Sequence, residues 1–334
     1  MSDRTKYPTK AIAQTNNSQR LAFSGGSTYN NSSIYQLRPL MAILQLIEPE
    51  VKDLGGFVAR RSLPYLNRQM VGPFIFFDHL GPSVLPPHKG IDVRPHPHIN
   101  LATVTYLFDG ALMHRDSLGT VQEIQLGAVN WMTAGKGIVH SERSPDIARQ
   151  NEATIHGIQT WVALPVEYEE TDPSFTHYPA VTLPTWEENG AIIKLVAGQA
   201  FGYTSPVKVF SPILYLDVVL SANAHFTIPT GYSERAVYSV TEGLSINEQP
   251  LEPYRLAILE PVDEVRVSAA AAARCIVIGG EPLGTRYKWW NFVSSRPERI
   301  EQAKADWRDY RFASVADETE FIPLPEVVVE ANPL

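Results

Sequence analysis

Apolar residues along most of this chain fall in short runs that glycine and proline interrupt. Residues 70–80, Met-Val-Gly-Pro-Phe-Ile-Phe-Phe-Asp-His-Leu, form one such run, and residues 213–220 form another. Residues 103–108 show the polar and apolar alternation of a strand with one buried face. Short strands with this punctuation are typical of sandwiches and barrels. The pattern therefore predicts an all-β protein.

One segment near the end of the chain has the periodicity of a helix. Its apolar side chains recur at helical spacing, at Ile300, Ala303, Trp307 and Tyr310. Ser295 and Glu298 have the spacing of a capping box, and Pro297 suits the first turn. The sequence predicts one amphipathic C-terminal helix here.

Two pairs of metal-binding side chains stand out between residues 90 and 142. His96 and His98 form the first pair, and His140 and Glu142 form the second, after a Gly-Lys-Gly turn. Residues two apart in a strand point to the same face, so each pair would project together. If the two strands are neighbours in a barrel, three imidazoles and one carboxylate converge. This donor set suits Fe(II), Mn(II), Ni(II), Cu(II) or Zn(II).

Asp109-Gly110 lies between the two pairs, at the end of an alternating run. Asp-Gly in this setting predicts a hairpin turn. We expect this hairpin to bring the second pair back toward the first.

Other polar and aromatic residues near these pairs have less specific interpretations. Asp78 and His79 end an apolar run, and we interpret them as a capped strand end, with a pocket mouth as the alternative. Trp131 and Met132 are candidates for an apolar pocket wall, with plain core packing as the equal alternative. His114 is expected to face the pocket without binding metal.

The strand pattern of residues 104–110 occurs again at residues 237–243, an offset of 133 positions. Such self-similarity predicts a tandem repeat of one barrel. The same offset places Pro229 and Gly231 where the first copy has its two neighbouring histidines. The second barrel is therefore predicted to have no metal site.

The first forty residues differ in kind from the rest. They are rich in Ser, Asn, Gln and Thr, and Asp3 is their only acidic residue against five basic ones. We expect residues 1–40 to be a disordered or loosely attached leader. The predicted organisation is then this leader, a metal-binding barrel at 41–180, and a second barrel at 181–334.

Composition excludes several classes of function. The net charge is −8 and the pI is about 5.6, and no Lys and Arg cluster offers a surface for phosphate contacts. We therefore expect no direct nucleic-acid binding. Cys275 is the only cysteine, so no internal disulfide can form, and we predict a cytoplasmic location. No apolar run reaches transmembrane length, so no membrane association is expected.

The spacing around the first pair resembles a known superfamily motif. Gly90, His96, His98 and Gly110 are similar to the first motif of the cupin superfamily, and residues 127–135 are similar to the start of its second. Many cupins carry a Glu in the first motif, and this chain does not. Its carboxylate lies in the second motif.

A carboxylate in the second motif instead of the first is similar to the pattern of the pirin family, within the cupin superfamily. The runs that carry the resemblance are residues 95–98, 102–107, 114–119, 129–142 and 156–162. The resemblance implies tandem cupin barrels, a bicupin, whose C-terminal helix and following residues pack back on the N-terminal barrel. It also implies one divalent metal ion, Fe(II) in first place, held by His96, His98, His140 and Glu142.

The resemblance implies two different functions. Pirin-like proteins with this site are similar to quercetin 2,3-dioxygenases, which open a flavonol or a related small aromatic ring with O2, and Glu142 would be the catalytic base. Other pirins are iron-dependent regulators that bind a protein partner such as a transcription factor. A different small aromatic or enediol substrate is a third possibility. We expect a monomer in each case.

Overall fold

The computed structural model describes residues 42–54, 56–262, 264–326 and 332–334, so the predicted leader lies outside the described residues. The strands of the first half are β1 Ile43–Ile47, β2 Glu50–Asp53, β3 Val58–Leu63, β4 Phe74–Leu85, β5 Asp92–His98, β6 Leu101–Gly110, β7 Leu112–Asp116, β8 Val121–Ile124, β9 Val129–Thr133, β10 Ile138–Arg143, β11 Ala153–Ala163 and β12 Ser174–Tyr178. A short helix, α1 Asp146–Arg149, and two 3-10 turns, Val166–Tyr168 and Ala180–Thr182, interrupt them.

The second half continues in the same manner. Its strands are β13 Thr185–Glu188, β14 Ala191–Ala200, β15 Tyr203–Thr204, β16 Ile213–Leu220, β17 His225–Thr227, β18 Glu234–Ser239, β19 Leu244–Ile246, β20 Gln249–Leu251, β21 Leu256–Leu259, β22 Arg266–Ala269, β23 Ala273–Gly280, β24 Tyr287–Trp289, β25 Phe292–Ser294 and β26 Asn332–Pro333. The longer helix, α2 Pro297–Arg308, follows β25. The predicted all-β fold with a C-terminal helix is confirmed. None of the described helices is long and apolar enough to cross a membrane.

The two barrels share one topology. In the first, a seven-stranded sheet has the order β12-β9-β6-β11-β4-β3-β2, and a four-stranded sheet has the order β5-β10-β7-β8. In the second, the orders are β1-β21-β18-β23-β16-β14-β13, with β15 pairing β14, and β17-β22-β19-β20. Position by position, β6 corresponds to β18 and β5 to β17. The strands that carry the 133-residue offset are thus equivalent, and the predicted tandem barrels are confirmed.

Alternation along β6 shows how the barrels are packed. Val104, Tyr106 and Phe108 belong to a hydrophobic core shared with aromatic and aliphatic residues of the second barrel. Leu107 packs instead in the interior of the first barrel, and the Thr105 hydroxyl points inside as well. Because one face of the strand lies between the barrels and the other inside one, both faces are buried.

The interior of the second barrel is apolar where the first carries its histidines. Phe226, Ile246 and Val267, on β17, β19 and β22, pack there in one hydrophobic core. Within the described part of the chain, the cluster of potential metal ligands lies in the first barrel.

Two described segments cross the predicted domain boundary at residue 180. Residues 43–47, predicted within the first barrel, form β1 and pair with β21 at the edge of the second barrel's sheet. The segment after β23 lies against the first barrel, where Phe292 forms a parallel bridge with Ile99. The Ile322 N–H donates a hydrogen bond to the Pro95 carbonyl, 2.8 Å away. Residues 327–331 of that return are outside the described residues.

Two local predictions are wrong. Asp109-Gly110 makes no hairpin, because β6 pairs with β9 and β11 while β7 pairs with β8 and β10 in the other sheet. The capping box is also absent, since α2 begins after Arg296 without a side-chain cap. Ser295 donates from its N–H and its hydroxyl to the Glu169 carboxylate instead, at 2.8 Å each.

Candidate metal centre

The three predicted histidines converge because β5 and β10 are antiparallel neighbours. His96 lies directly opposite His140 in this pair, and His98 lies opposite Ile138. Nitrogen atoms of the three imidazoles all lie within 4.8 Å of one another. The three side chains are buried, so the cluster lies inside the barrel.

Hydrogen bonds fix the orientation of two of these rings. Nδ1 of His96 lies 2.9 Å from the Arg94 carbonyl, and Nδ1 of His98 lies 3.1 Å from the Asn291 carbonyl. A carbonyl oxygen only accepts, so each Nδ1 carries the proton and donates. The Nε2 atom of each ring is left with its lone pair, as a metal ligand requires.

The third ring, His140, has no hydrogen-bond partner among the described residues. Its side chain is 1% exposed, and neither Nδ1 nor Nε2 has a hydrogen-bond partner in the described structure. A buried polar atom without a partner costs about 1–3 kcal/mol. A metal ion among the three rings would give one of these nitrogen atoms a partner, so the residues present fit such an ion.

Burial keeps the cluster in the protonation state that binds metal. It lowers the pKa of His98 and His140 well below the usual value, and the neighbouring imidazoles lower both further. The pKa of His96 is also lowered by burial, although the Arg94 carbonyl and Glu142 oppose this shift. Neutral imidazoles at neutral pH are competent ligands.

Glu142 lines the same cavity as the three histidines but lies outside their tight group. Its Oε1 accepts a hydrogen bond from the Thr105 hydroxyl at 3.0 Å. The Gln159 amide donates to Oε1 at 3.0 Å and to Oε2 at 2.8 Å. The carboxylate is therefore held in one orientation by two neighbouring strands, β6 and β11.

The cavity at these residues is small, about 130 Å³, and has one aromatic wall. The rings of Phe76 and Trp161 are stacked, with centroids 4.2 Å apart and planes 12° apart. Trp161 also meets the His98 ring edge to face at 4.9 Å. A planar surface thus lies directly beside the metal-binding rings.

An ion pair lies on the same lining. Arg61 donates to both carboxylate oxygens of Asp78, at 2.8 and 2.7 Å, and its guanidinium lies 4.3 Å from the centre of the Phe76 ring. Burial raises the pKa of Asp78 in spite of Arg61. The interpretation of Asp78 as a capped strand end is wrong, because β4 continues to Leu85 and the carboxylate lines the cavity.

The three predicted pocket residues lie elsewhere in the described structure. Trp131 faces the core between the barrels, and Met132 packs in a hydrophobic cluster of the first barrel. His114 stacks on Phe175 at 4.3 Å, and its Nε2 is hydrogen bonded to Asp116 at 3.0 Å. Its ring lies 5.3 Å from His140, outside the cavity lining. Side chains alternate between the two faces of β9, and Trp131 lies on the face toward the second barrel.

Thr105, Gln159 and Trp161 also surround the site, and the sequence pattern did not predict them. Gln159 and Trp161 are two apart in β11, so they share a face, and Thr105 lies on the face of β6 opposite Val104 and Tyr106. Strand periodicity could have placed these side chains together, once it was known which face is interior.

Two antiparallel barrels of one topology, the first with a buried three-histidine cluster, define a bicupin, and the described residues hold one candidate metal centre. The family model described as Pirin matches residues 56–162, and the Pirin C-terminal cupin domain matches residues 215–313. This chain belongs to the pirin family.

Relatives of known name agree with this assignment. A pirin-like protein of Caulobacter vibrioides is 46% identical over 82% of this chain and 96% of its own length. Pirin of Rattus norvegicus is 31% identical over 80% of this chain and 91% of its own. A crystal structure of quercetin 2,3-dioxygenase from Acinetobacter baumannii matches with a TM-score of 0.81 and 32% identity, covering 87% of this chain and 98% of that one.

Proposed function

We propose that this protein is a metal-dependent dioxygenase that opens a flavonol of the quercetin type, or a related small aromatic ring, with O2. The observation that carries the proposal is the buried His140, which has no hydrogen-bond partner among the described residues and lies beside two histidines that use Nδ1 for their hydrogen bonds. The similar structure of a quercetin 2,3-dioxygenase supports the same reaction class.

The proposed ligands are His96, His98, His140 and Glu142, with Fe(II) as the leading metal and Mn(II), Ni(II), Cu(II) and Zn(II) as alternatives. A divalent ion bound there would supply a Lewis acid that lowers the pKa of a coordinated hydroxyl group.

The chain's own residues would then position the substrate and move its proton. Glu142 would accept the hydroxyl proton, and the hydrogen bonds from Thr105 and Gln159 keep its carboxylate aimed at the cavity. Trp161, whose ring meets that of His98 edge to face, would contact an aromatic ring bound beside His98. Apolar side chains elsewhere on the lining would exclude water from the reacting ring.

One observation favours a second candidate, a metal-dependent regulator that binds a protein partner. The cavity volume of about 130 Å³ is below the roughly 300 Å³ at which pockets for drug-sized ligands begin. A buried metal with so little room beside it would suit a protein whose metal changes its binding to a partner without substrate turnover.

Oxygen uptake by anaerobically iron-loaded protein tests the proposal. On adding quercetin or catechol, we expect rapid uptake with a ring-cleaved product, and uptake at the level of metal-free protein for His96→Ala and Glu142→Ala. His225→Ala, in β17 of the second barrel, is the matched control and should behave as wild type. If one metal binds per chain and neither compound drives uptake above the two variants, the regulator takes first place.

A further inference from the structure

Strands β5 and β10 have a β-bulge next to the proposed metal ligands. His96 and His140 are paired on one side of the bulge. Beyond that pair, Arg94 and Pro95 of β5 lie opposite Ser141 alone. A bulge leaves a residue unpaired and bends the strand. The ladder between the two strands that carry the histidines is therefore interrupted directly beside them.

A surface segment from the C-terminal part of the chain lies over this bulge. It comprises residues 312–322, which follow α2 and form neither helix nor strand, and we call it the strap. The Ile322 N–H donates a hydrogen bond to the Pro95 carbonyl at 2.8 Å. The Ser141 hydroxyl donates to Oε1 of Glu318, also at 2.8 Å. The strap thus binds both strands of the bulge.

An ion pair holds Glu318 on the outer face of β10. Arg143 donates from Nε to Oε1 at 2.9 Å and from Nη2 to Oε2 at 2.7 Å. The Glu318 side chain is 8% exposed. Ser141 and Arg143 alternate along β10 with two of the proposed ligands. The strap therefore binds the outer face of a strand whose inner face points to the metal site.

The strap is also bound to α2, which packs on the first barrel. Trp307 donates from Nε1 to the Ile322 carbonyl at 3.0 Å. Ile300 of the same helix lies in one apolar cluster with Phe292 and with Ile99, the residue after β5. The helix therefore gives the strap a fixed attachment close to the histidines of β5.

The strap buries little of its own surface. Val315 is its one buried residue, and its other side chains are at least partly exposed. A segment held mainly by surface hydrogen bonds opens locally at a lower free energy than the core strands do. Docking of the strap is then an equilibrium that the strands beneath it can influence.

We propose that docking of the strap and metal binding favour each other, with Glu318 as a positioning residue that acts through Ser141 and Arg143. The docked strap fixes the backbone of the bulge from outside, and a bound ion would fix the same backbone through the imidazoles. Because such linkage is reciprocal, each event strengthens the other by the same factor. The proposal rests on the metal ligands of the proposed function and needs no turnover.

This linkage would carry metal occupancy to the outer surface of the protein. The strap would be docked more completely in metal-loaded protein than in metal-free protein. A protein partner that contacts the strap would then distinguish the two forms. The regulator requires such a signal, and the dioxygenase does not.

Hydrogen exchange of single amides, followed by NMR with and without saturating Zn(II), tests the proposal. The reporter is the Ile322 N–H, because its hydrogen bond exists only in the docked strap. The control is the Asn223 N–H, which donates to the Ala269 carbonyl at 2.8 Å in the second barrel. We expect zinc to slow exchange at Ile322 about tenfold and to leave Asn223 unchanged. Partners of metal ligands change metal affinity by about 10–100-fold, and Glu318 contacts residues next to the ligands.

Zinc affinity of variants, measured by competition with a chromophoric chelator, tests the reciprocal effect. Glu318→Ala should raise the dissociation constant of Zn(II) about tenfold and should remove the effect of zinc on exchange at Ile322. Glu318→Gln keeps an acceptor for Ser141 and loses the ion pair, so its dissociation constant should lie between those of wild type and Glu318→Ala.

Glu234→Ala is the matched control. Glu234 is also paired with an arginine, Arg68, at 3.0 Å, and it accepts the Gly72 N–H at 2.6 Å. This variant should lose stability and should bind Zn(II) as wild type does. A weakening of zinc binding as large as that in Glu318→Ala would trace the effect to stability alone and overturn the proposal.

The remaining outcomes separate this proposal from the proposed function. A wild-type zinc affinity in Glu318→Ala, or an equal effect of zinc on Ile322 and Asn223, overturns the linkage and leaves the dioxygenase proposal standing. If wild-type protein binds no zinc, the four proposed ligands form no metal centre, and both proposals fail together.

Discussion

At the scale of single residues, His140 is the histidine of the cluster whose ring nitrogen atoms lack hydrogen-bond partners among the described residues. Its two cluster neighbours each donate a hydrogen bond to a backbone carbonyl, and His140 has no such partner in the described structure. Leaving a buried imidazole in this state is unfavourable unless something else binds it. The residue therefore argues for a metal more strongly than the presence of three histidines does.

Asp78, on the cavity lining, extends the same reasoning to charge. Burial raises the pKa of Asp78, so the fold disfavours its charged form. The ion pair with Arg61 opposes this shift. Active sites commonly retain groups that lower stability, because function depends on them.

At the scale of elements, the turn between β9 and β10 sets the position of His140. Gly135 lies in this turn with φ of +50°, and a Cβ there would lie 2.0 Å from the Thr171 carbonyl oxygen. The Gly135 carbonyl also accepts the Asn100 N–H at 2.8 Å. The turn thus needs glycine both for its backbone conformation and for its close contact.

A pair of glycine variants separates these two requirements. Gly119 has φ of +88° and open space around it, so Gly119→Ala should lower the free energy of unfolding by about 1 kcal/mol, from conformation alone. Gly135→Ala adds a backbone clash and should cost about 3 kcal/mol or more. Urea unfolding of both variants measures this. Equal losses would show that the contact with Thr171 is not close.

At the scale of the whole molecule, a hydrogen bond between His79 and Tyr238 joins the two barrels within their apolar interface. His79 is fully buried, and its Nδ1 lies 2.9 Å from the Tyr238 hydroxyl of the second barrel. Its Nε2 lies 2.8 Å from Nε2 of His156. Only one proton fits between those two nitrogen atoms, so protonating both rings breaks this hydrogen bond.

Lowering the pH should therefore lower the free energy of unfolding through the His79–His156 pair. Burial lowers the pKa of His79 well below its usual value, and the charges of His156, Arg60 and Arg274 lower it further. Burial also lowers the pKa of His156. The charges of Arg274 and Arg60 lower that pKa further, and the charge of Asp109 opposes them. Below about pH 6.5 the unfolded chain binds protons that the folded pair does not, so stability falls as pH falls.

Urea unfolding between pH 7.5 and 5.5 measures the effect. Each such histidine contributes a slope of up to about 1.4 kcal/mol per pH unit. His156→Gln removes one titrating ring and keeps a hydrogen-bonding side chain, so its pH slope should be smaller than that of wild type. An unchanged slope in His156→Gln would contradict the account.

Sequence could predict the repeat and the four proposed ligands, because strand period and motif spacing are local. It could not tell which face of β9 is interior, so Trp131 and Met132 were assigned to the pocket. It could not show that β1 pairs with β21, more than two hundred residues away.

The central claim is that His96, His98 and His140 form a metal centre, and anaerobic titration with Co(II), followed by its visible absorption, tests it most directly. The account predicts one equivalent of Co(II) bound per chain, with d–d bands of nitrogen ligation. His140→Leu should lose this binding and should remain folded, because a buried ring without partners has been replaced by an apolar side chain. Saturation at one equivalent in both proteins, or no binding in either, would contradict the account.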